Sequence, residues 1–392
     1  MIILGIESSC DETAASIVEG PFFAKASEGK QGSIVKVLSN VVASQIEIHQ
    51  KYGGVVPEVA AREHVLNILP VVNEALLRAR THADFTRTNA DLTRTYTDRM
   101  KSARVRVKSA SVRGIDAVAV TVGPGLVTSL SVGVETAKVL SYVWKVPVIA
   151  VNHIEAHLYA NFILDSQAFD SDSRLIREKI KFPALVLTVS GGHTILVLMS
   201  GHGKYKIIGE TRDDAAGEAF DKAASLLGLG YPGGPSIAKE AIKIKNKNEK
   251  IKNIILPRPM LGSKNFEFSF SGLKTALLYQ LKKDSNWQKR IPEYAYEFQR
   301  AVVETLVGKI IRAAKILPVK TIMLSGGVSA NTVLREELKA ETEKLGLNFL
   351  MPELKYTTDN AAMIATAGYF KARRKEYTDW RKLAVRVNWE LA

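Results

Sequence analysis

The sequence predicts an α/β protein of two lobes that repeat one plan, and two observations carry this. A strand, glycine loop, helix, strand unit occurs twice. Its first copy is Ile115 to Val122, Gly123-Pro124-Gly125, Ser129 to Trp144 and Val146 to Val151. Its second is Val319 to Leu324, Ser325-Gly326-Gly327, Asn331 to Leu345 and Leu347 to Met351. A hairpin with a polar or glycine tip also occurs twice, ahead of each unit. The first pairs Ile2 to Ile6 with Ala14 to Val18 around Glu7-Ser8-Ser9-Cys10-Asp11-Glu12-Thr13. The second pairs Pro183 to Val189 with Thr194 to Met199 around Ser190-Gly191-Gly192-His193. Strands alternating with helices at this spacing imply α/β layers. Glycine tips from both lobes would face a cleft, where N–H groups freed at glycine turns and helix N-termini cradle phosphate.

Composition bounds the function. The chain has 392 residues, enough for one large two-lobed domain or two to three small ones, and its 46% hydrophobic content is ample for a packed core. A net charge of +14 points to a polyanion such as nucleic acid, against the alternative of a solvated basic surface. The single Cys10 excludes an internal disulfide and fits a reducing, cytoplasmic setting. Met1 leads straight into a strand, so no signal peptide is expected. Ala117 to Val134 is uncharged for long enough to suggest a membrane helix, but Gly123-Pro124-Gly125 interrupts it. A strand, a loop and a helix start explain it better, and no membrane is expected.

Along the chain, Gly20 to Val37 reads as an irregular hairpin. Asn40 to Arg80 reads as mostly helical, with Pro57 in a first turn and Arg62, Glu63 and His64 on a solvated face. Residues 81–113 contain ADFTRTN, ADLTRTY and a degenerate third copy. One apolar position per seven cannot form a coiled-coil seam, so the segment reads as an exposed basic insertion. Asp213 to Pro235 holds a helix from Gly217 to Leu227 that carries Asp221. Lys239 to Lys252 is lysine-dense. Pro292 to Leu317 is a long helix with Glu297, Arg300 and Glu304 on its exposed side. Thr358 or Asp359 is placed to cap a helix that starts within YTTDNAAMIATAG.

The stretch VNHIEAHLYAN puts His153 and His157 at i, i+4, on one helix face. Two neutral imidazoles there can hold a divalent ion if a third ligand arrives. The competing reading is a helix cap and a core histidine. The order is not the HExxH of zinc proteases, because Ile154 follows His153 and Glu155 points away from the His face.

Nine motifs then resemble one family, in its order: GIESSCDET, YGGVVPEVAAREH, VGPGLVTSLSVG, NHIEAHLYA, VSGGHT, DDAAGEAFDKAASLLGLGYPGGP, FSFSGLKTA, SGGVSANTVLR and TTDNAAMIA. The family is TsaD, the tRNA threonylcarbamoyladenosine transferase subunit, in its bacterial form. The resemblance implies an actin-like, sugar-kinase-like (ASKHA) α/β fold of two duplicated RNase-H-like lobes around a nucleotide cleft. It implies an N-terminal lobe over 1–165 and a C-terminal lobe over 166–392, whose last residues pack back on the first. It implies transfer of threonylcarbamoyl from threonylcarbamoyl-AMP to the exocyclic amine of the adenosine 3′ of the anticodon, in tRNAs reading codons that start with A. His153, His157 and Asp359 would bind one divalent ion, iron or zinc. Thr188, Val189, Ser190, Gly191, Gly192, Asp221, Gly234 and Asn331 would hold the adenylate. Asp11 or Glu12 would orient the attacking amine or take its proton. The implied partners are tRNA, an inactive paralogue (TsaB-like) and an ATPase subunit (TsaE-like).

The rival on the same fold is an ATP-dependent small-molecule kinase or ATPase, in which the His pair has no task. A metalloprotease and a non-catalytic paralogue are two further alternatives. The first is disfavoured by the motif order, the second by the intact His pair and Asp359.

Overall fold

The computed structural model describes residues 1–20, 34–80, 114–165, 180–244 and 254–391. The expected insertion 81–113, most of the 20–37 segment and much of the lysine-dense stretch lie outside these. The chain divides into two compact units, one of Met1–Gln45, Val56–Arg174 and Asn360–Glu390, the other of Ile46–Val55, Leu175–Asp359 and Leu391–Ala392.

In the first unit, β1 (Ile2–Glu7) and β2 (Glu12–Glu19) form an antiparallel hairpin, with Glu7 opposite Ala14. β3 (Val35–Ser44) continues the antiparallel run. β4 (Ala117–Gly123), β5 (Val148–Asn152) and β6 (Ile163–Asp165) complete the order β5-β4-β1-β2-β3-β6. Strand side chains alternate between faces. Leu4 and Ile6 of β1 thus pack with Ile68 and Val72 of α2 (Pro57–Arg80) and with Val134 and Leu140 of α3 (Val127–Trp144). The opposite face carries Gly5, where a Cβ would come within 2.4 Å of the Ala361 carbonyl. The small residues of AAMIATAG therefore let the C-terminal helix lie directly on β1 and β4. A Cβ at Gly368 would likewise meet that of Ala119 at 2.4 Å. That helix is buried on nearly every side, as its uninterrupted apolar run requires.

Asn40 to Ser44 proves to be strand, not helix. Pairing with β2, which puts Glu12 opposite Ser44, outweighs the local pattern; the helix begins only at Ile46, in the short α1 (Ile46–Gln50). Pro57 opens α2, as expected. His64, expected on a solvated face, is fully buried. Its ring bonds the Thr13 hydroxyl at 2.7 Å and the Cys10 carbonyl at 3.0 Å.

The second unit repeats the arrangement. β7 (Ala184–Val189), β8 (Thr194–Gly201), β9 (Lys204–Glu210), β10 (Thr321–Ser325) and β11 (Asn348–Leu350) run in the order β11-β10-β7-β8-β9. This matches β5-β4-β1-β2-β3 strand for strand, and it is the duplication read from the sequence. β9 escaped that reading because KYKIIGE is a half-exposed edge with weak alternation. Around the sheet lie α5 (Ala216–Leu226), α6 (Gly233–Ala241), α7 (Ser271–Lys283), α8 (Ile291–Ile316) and α9 (Thr332–Lys344). Phe298, Val302, Leu306 and Ile310 of α8 fill the core. Glu297, Arg300 and Glu304 are half-buried rather than exposed. Arg258 bonds Glu304 at 2.6 Å and also Glu297, and Arg300 joins Glu304.

No described helix is long and apolar enough to cross a membrane. The uncharged 117–134 stretch is β4 and the start of α3.

Candidate metal centre and nucleotide loops

α4 (His153–Tyr159) starts where β5 ends, because Asn152 caps it. The Asn152 Oδ1 accepts from the N–H groups of Ile154 at 2.8 Å and Glu155 at 3.1 Å. Such a cap is worth ~1 kcal/mol and fixes the angle at which the helix leaves the strand. Both imidazoles are buried and pack edge to face, ring centroids 4.7 Å apart. Glu155 lies off the His face, near Lys371 at 3.4 Å and Arg374 at 3.8 Å.

His153, His157 and Asp359 each offer one ligand atom, all within 4.8 Å of one another. Asp359 directly precedes Asn360, which caps α10 (Ala361–Arg373) by accepting from the Met363 N–H at 3.1 Å. The cap is therefore Asn360, not Thr358 or Asp359 as the sequence suggested. The division between the units falls between Asp359 and Asn360, so one peptide bond ties Asp359 to that cap. Two neutral nitrogens and a carboxylate suit zinc or ferrous iron. Metal–ligand bonds of ~2.1 Å space ligands by up to ~4.2 Å, so a small side-chain adjustment brings all three onto one ion.

A residue that sequence reasoning missed stands behind His153. Glu7 is fully buried, and its Oε2 lies 3.0 Å from His153 Nδ1. The same carboxylate accepts from the Ser9 N–H at 2.5 Å and the Thr121 hydroxyl at 2.8 Å. Ser9 Oγ is also 3.2 Å from His153 Nδ1. A carboxylate at Nδ1 holds the ring proton there and turns the Nε2 lone pair outward. No local signal marks Glu7, whose partner lies 146 residues away.

Asp11 and Glu12, expected at a polar tip, are buried at 9% and 8% exposure. The Gln45 N–H donates to the Asp11 carbonyl at 3.1 Å, and the Ser44 hydroxyl reaches Glu12 at 3.4 Å. The tip is stitched down by β3.

The other candidates gather in the second unit. Thr188 and Val189 lie inside the sheet, Thr188 bonding Ser325 at 2.9 Å. They position the turn Ser190-Gly191-Gly192, where Ser190 Oγ accepts from the His193 N–H at 3.1 Å. The carbonyls of Ser190 and Gly191 accept from the N–H groups of Gly217 and Glu218, both at 3.2 Å, which docks the turn on the start of α5. Added Cβ atoms at Gly191, Gly192 and Gly234 would meet nothing within 4 Å, so there is room beside all three. Asp221 projects from α5 to accept from the Gly233 N–H at 2.6 Å, and burial pushes its carboxyl above the usual range despite that bond. Lys222 pairs instead with Asp214 and Glu218. Asn331 caps α9, accepting from Leu334 N–H at 3.1 Å and donating to Gln299 at 2.9 Å.

Two solved structures share the fold. Full-length HypF in its phosphate- and nucleotide-bound form superposes with a TM-score of 0.55 at 10% identity, over 96% of this chain and 47% of that one. HypF of T. kodakarensis does so at 0.53 and 13%, over 95% and 47%. Fold and site together define an α/β protein of the actin-like, sugar-kinase-like class with a His/His/Asp cluster. The family model for tRNA N6-adenosine threonylcarbamoyltransferase, TsaD, matches residues 36–87 and 100–366. A relative of that name from Syntrophomonas wolfei is 46% identical over 370 residues, 94% of this chain and 92% of its own. One from Bacillus subtilis is 46% identical over 372 residues, 94% and 90%. The chain belongs to the TsaD family of tRNA-modifying transferases, and the kinase alternative is not favoured.

Proposed function

We propose that the chain transfers threonylcarbamoyl from threonylcarbamoyl-AMP to the exocyclic amine of the adenosine 3′ of the anticodon, releasing AMP. The observation that carries this reading is the His153, His157 and Asp359 cluster in a chain of this family. The three would hold one divalent ion, iron or zinc, which when bound supplies Lewis acidity toward the carbamoyl carbonyl. Asp221 accepts from ribose hydroxyls, the N–H groups of Ser190-Gly191-Gly192 face the phosphate, and Asn331 meets the adenine edge. Thr188 and Val189 carry that turn, and Gly234 leaves room for the nucleoside. The adenine amine is a poor nucleophile, so positioning and carbonyl polarisation dominate over base catalysis. Asp11 or Glu12 orients the amine or receives its proton.

The work is cytoplasmic and shared with partners. The exposed Val65, Leu66 and Leu69 of α2 offer an apolar surface that suits the paralogue subunit (TsaB-like). The ATPase subunit (TsaE-like) completes the set.

The test mixes the chain and its partners with carbonyl-labelled adenylate and unmodified tRNA. Label should enter the tRNA with release of AMP; rapid ATP turnover by the chain alone, indifferent to tRNA and adenylate, would sink the reading. Asp221→Asn should weaken an adenylate analogue ~10–100-fold in calorimetry, the worth of one charged hydrogen bond. Unchanged affinity would remove Asp221 from the site.

A further inference from the structure

The C-terminal segment 373–389 is a basic ribbon. It carries Arg373, Arg374, Lys375, Arg381, Lys382 and Arg386 against only Glu376 and Asp379. Arg374 is taken up by Glu376 and Glu155, Arg381 lies 3.8 Å from Asp379, and all but Arg374 are exposed. Its course is fixed at three points. Thr378 N–H donates to the Val148 carbonyl at 2.8 Å, Arg386 N–H to that of Val122 at 2.7 Å, and Asn152 Nδ2 to that of Trp389 at 2.8 Å. The ribbon thus touches the first and last residues of the edge strand β5 and, between them, Val122 near the end of β4. It ends on the residue that caps the His153 helix, ~13 Å on at 3.3 Å per residue.

Aromatic rings stand among the charges at the far end. Tyr142 is 54% exposed, with its ring 5.2 Å from that of Trp380. Lys145 lies 4.3 Å from the Tyr142 centroid, and the Arg381 guanidinium 4.9 Å from that of Trp380. With Ser141 and Pro147 these residues line a shallow hollow. An exposed ring and a half-buried one, flanked by cations, suit an unstacked base held beside its phosphates, and a mainly cationic ribbon suits a phosphodiester backbone.

We propose that this ribbon and hollow are the surface on which the loop of the RNA substrate lands, with its chain running toward the His153 helix. The inference rests on the tRNA-modifying reading and adds the place of contact. The test titrates a labelled anticodon stem-loop, with adenosine 3′ of the anticodon, against the full-length chain by fluorescence anisotropy across a salt series. Arg381→Glu/Lys382→Glu/Arg386→Glu should raise Kd at least ~10-fold and flatten the log–log salt slope by ~2, at about 0.7 per phosphate lost. Tyr142→Ala, which removes a stacking ring but no charge, should weaken binding ~10-fold with the slope unchanged. Reversal of the exposed Lys282, Lys283 and Lys289 should change Kd less than ~2-fold.

Wild-type Kd and slope in the triple variant would overturn the surface while leaving the function intact, as would an equal loss in the lysine control. Selective capture of anionic vesicles in place of RNA would overturn it in favour of a membrane. A wild-type chain that bound no RNA at any salt would take down the tRNA reading as well.

Discussion

Alanine at His153 or at His157 is expected to empty the metal centre and cut threonylcarbamoyl transfer ~10²–10³-fold. The lost Lewis-acid stabilisation is of order 3–4 kcal/mol, and each 1.4 kcal/mol is tenfold in rate. Two remaining ligands cannot hold zinc or iron against a chelator when the third position reverts to water. Elemental analysis of the purified variant should fall from about one ion per chain to near zero. The melting temperature in chelator separates this from unfolding. In chelator the His153→Ala variant should still melt in one cooperative transition, below wild type by the cost of the cavity and of leaving the buried Glu7 without its histidine. A variant that kept its full complement of metal would remove the His pair from the centre, whatever its activity.

The second large effect belongs to Glu7. Glu7→Gln keeps the size and shape of the side chain but replaces a carboxylate that meets three donors in the dry interior. The His153 ring then loses the partner that fixes its proton on Nδ1 and its orientation. Ion affinity, measured by competition with a chelator, should fall ~10–100-fold. A cost in stability accompanies it, since the Ser9 N–H and the Thr121 hydroxyl point at the same carboxylate. A buried donor left facing an amide N–H costs about 1–3 kcal/mol. The affinity is therefore read well below the melting temperature. Unaltered ion affinity in folded Glu7→Gln would reduce this residue to a structural support.

What the sequence showed depended on how local each signal was. The His153 and His157 spacing, the hairpin tips and the repeated strand-loop-helix-strand units are short-range patterns, and the two sheets repeat them in matching strand order. Glu7 was invisible because its meaning lies in a bond to a histidine far along the chain. His64 looked like a solvated helix residue because nothing nearby reveals that Thr13 and Cys10 close over it. β3 was misread for the same reason: its strand character comes from β2. The capping of the last helix failed by one residue, since Asp and Asn are nearly equal as caps and only the structure assigns the task to Asn360. Asp11 and Glu12 lie in a tip whose polar composition gives no sign of burial, because the partner that closes on it, the end of β3, reads locally as helix.

The packing of Gly5 against Ala361 has a consequence for biosynthesis. Strand β1 has its second face covered only when α10, far along the chain, has folded onto it. A nascent or truncated chain that stops short of Asn360 must carry an open apolar surface over β1 and β4, a hazard for aggregation. A chain that stops before Asp359 would in addition lack the third candidate ligand.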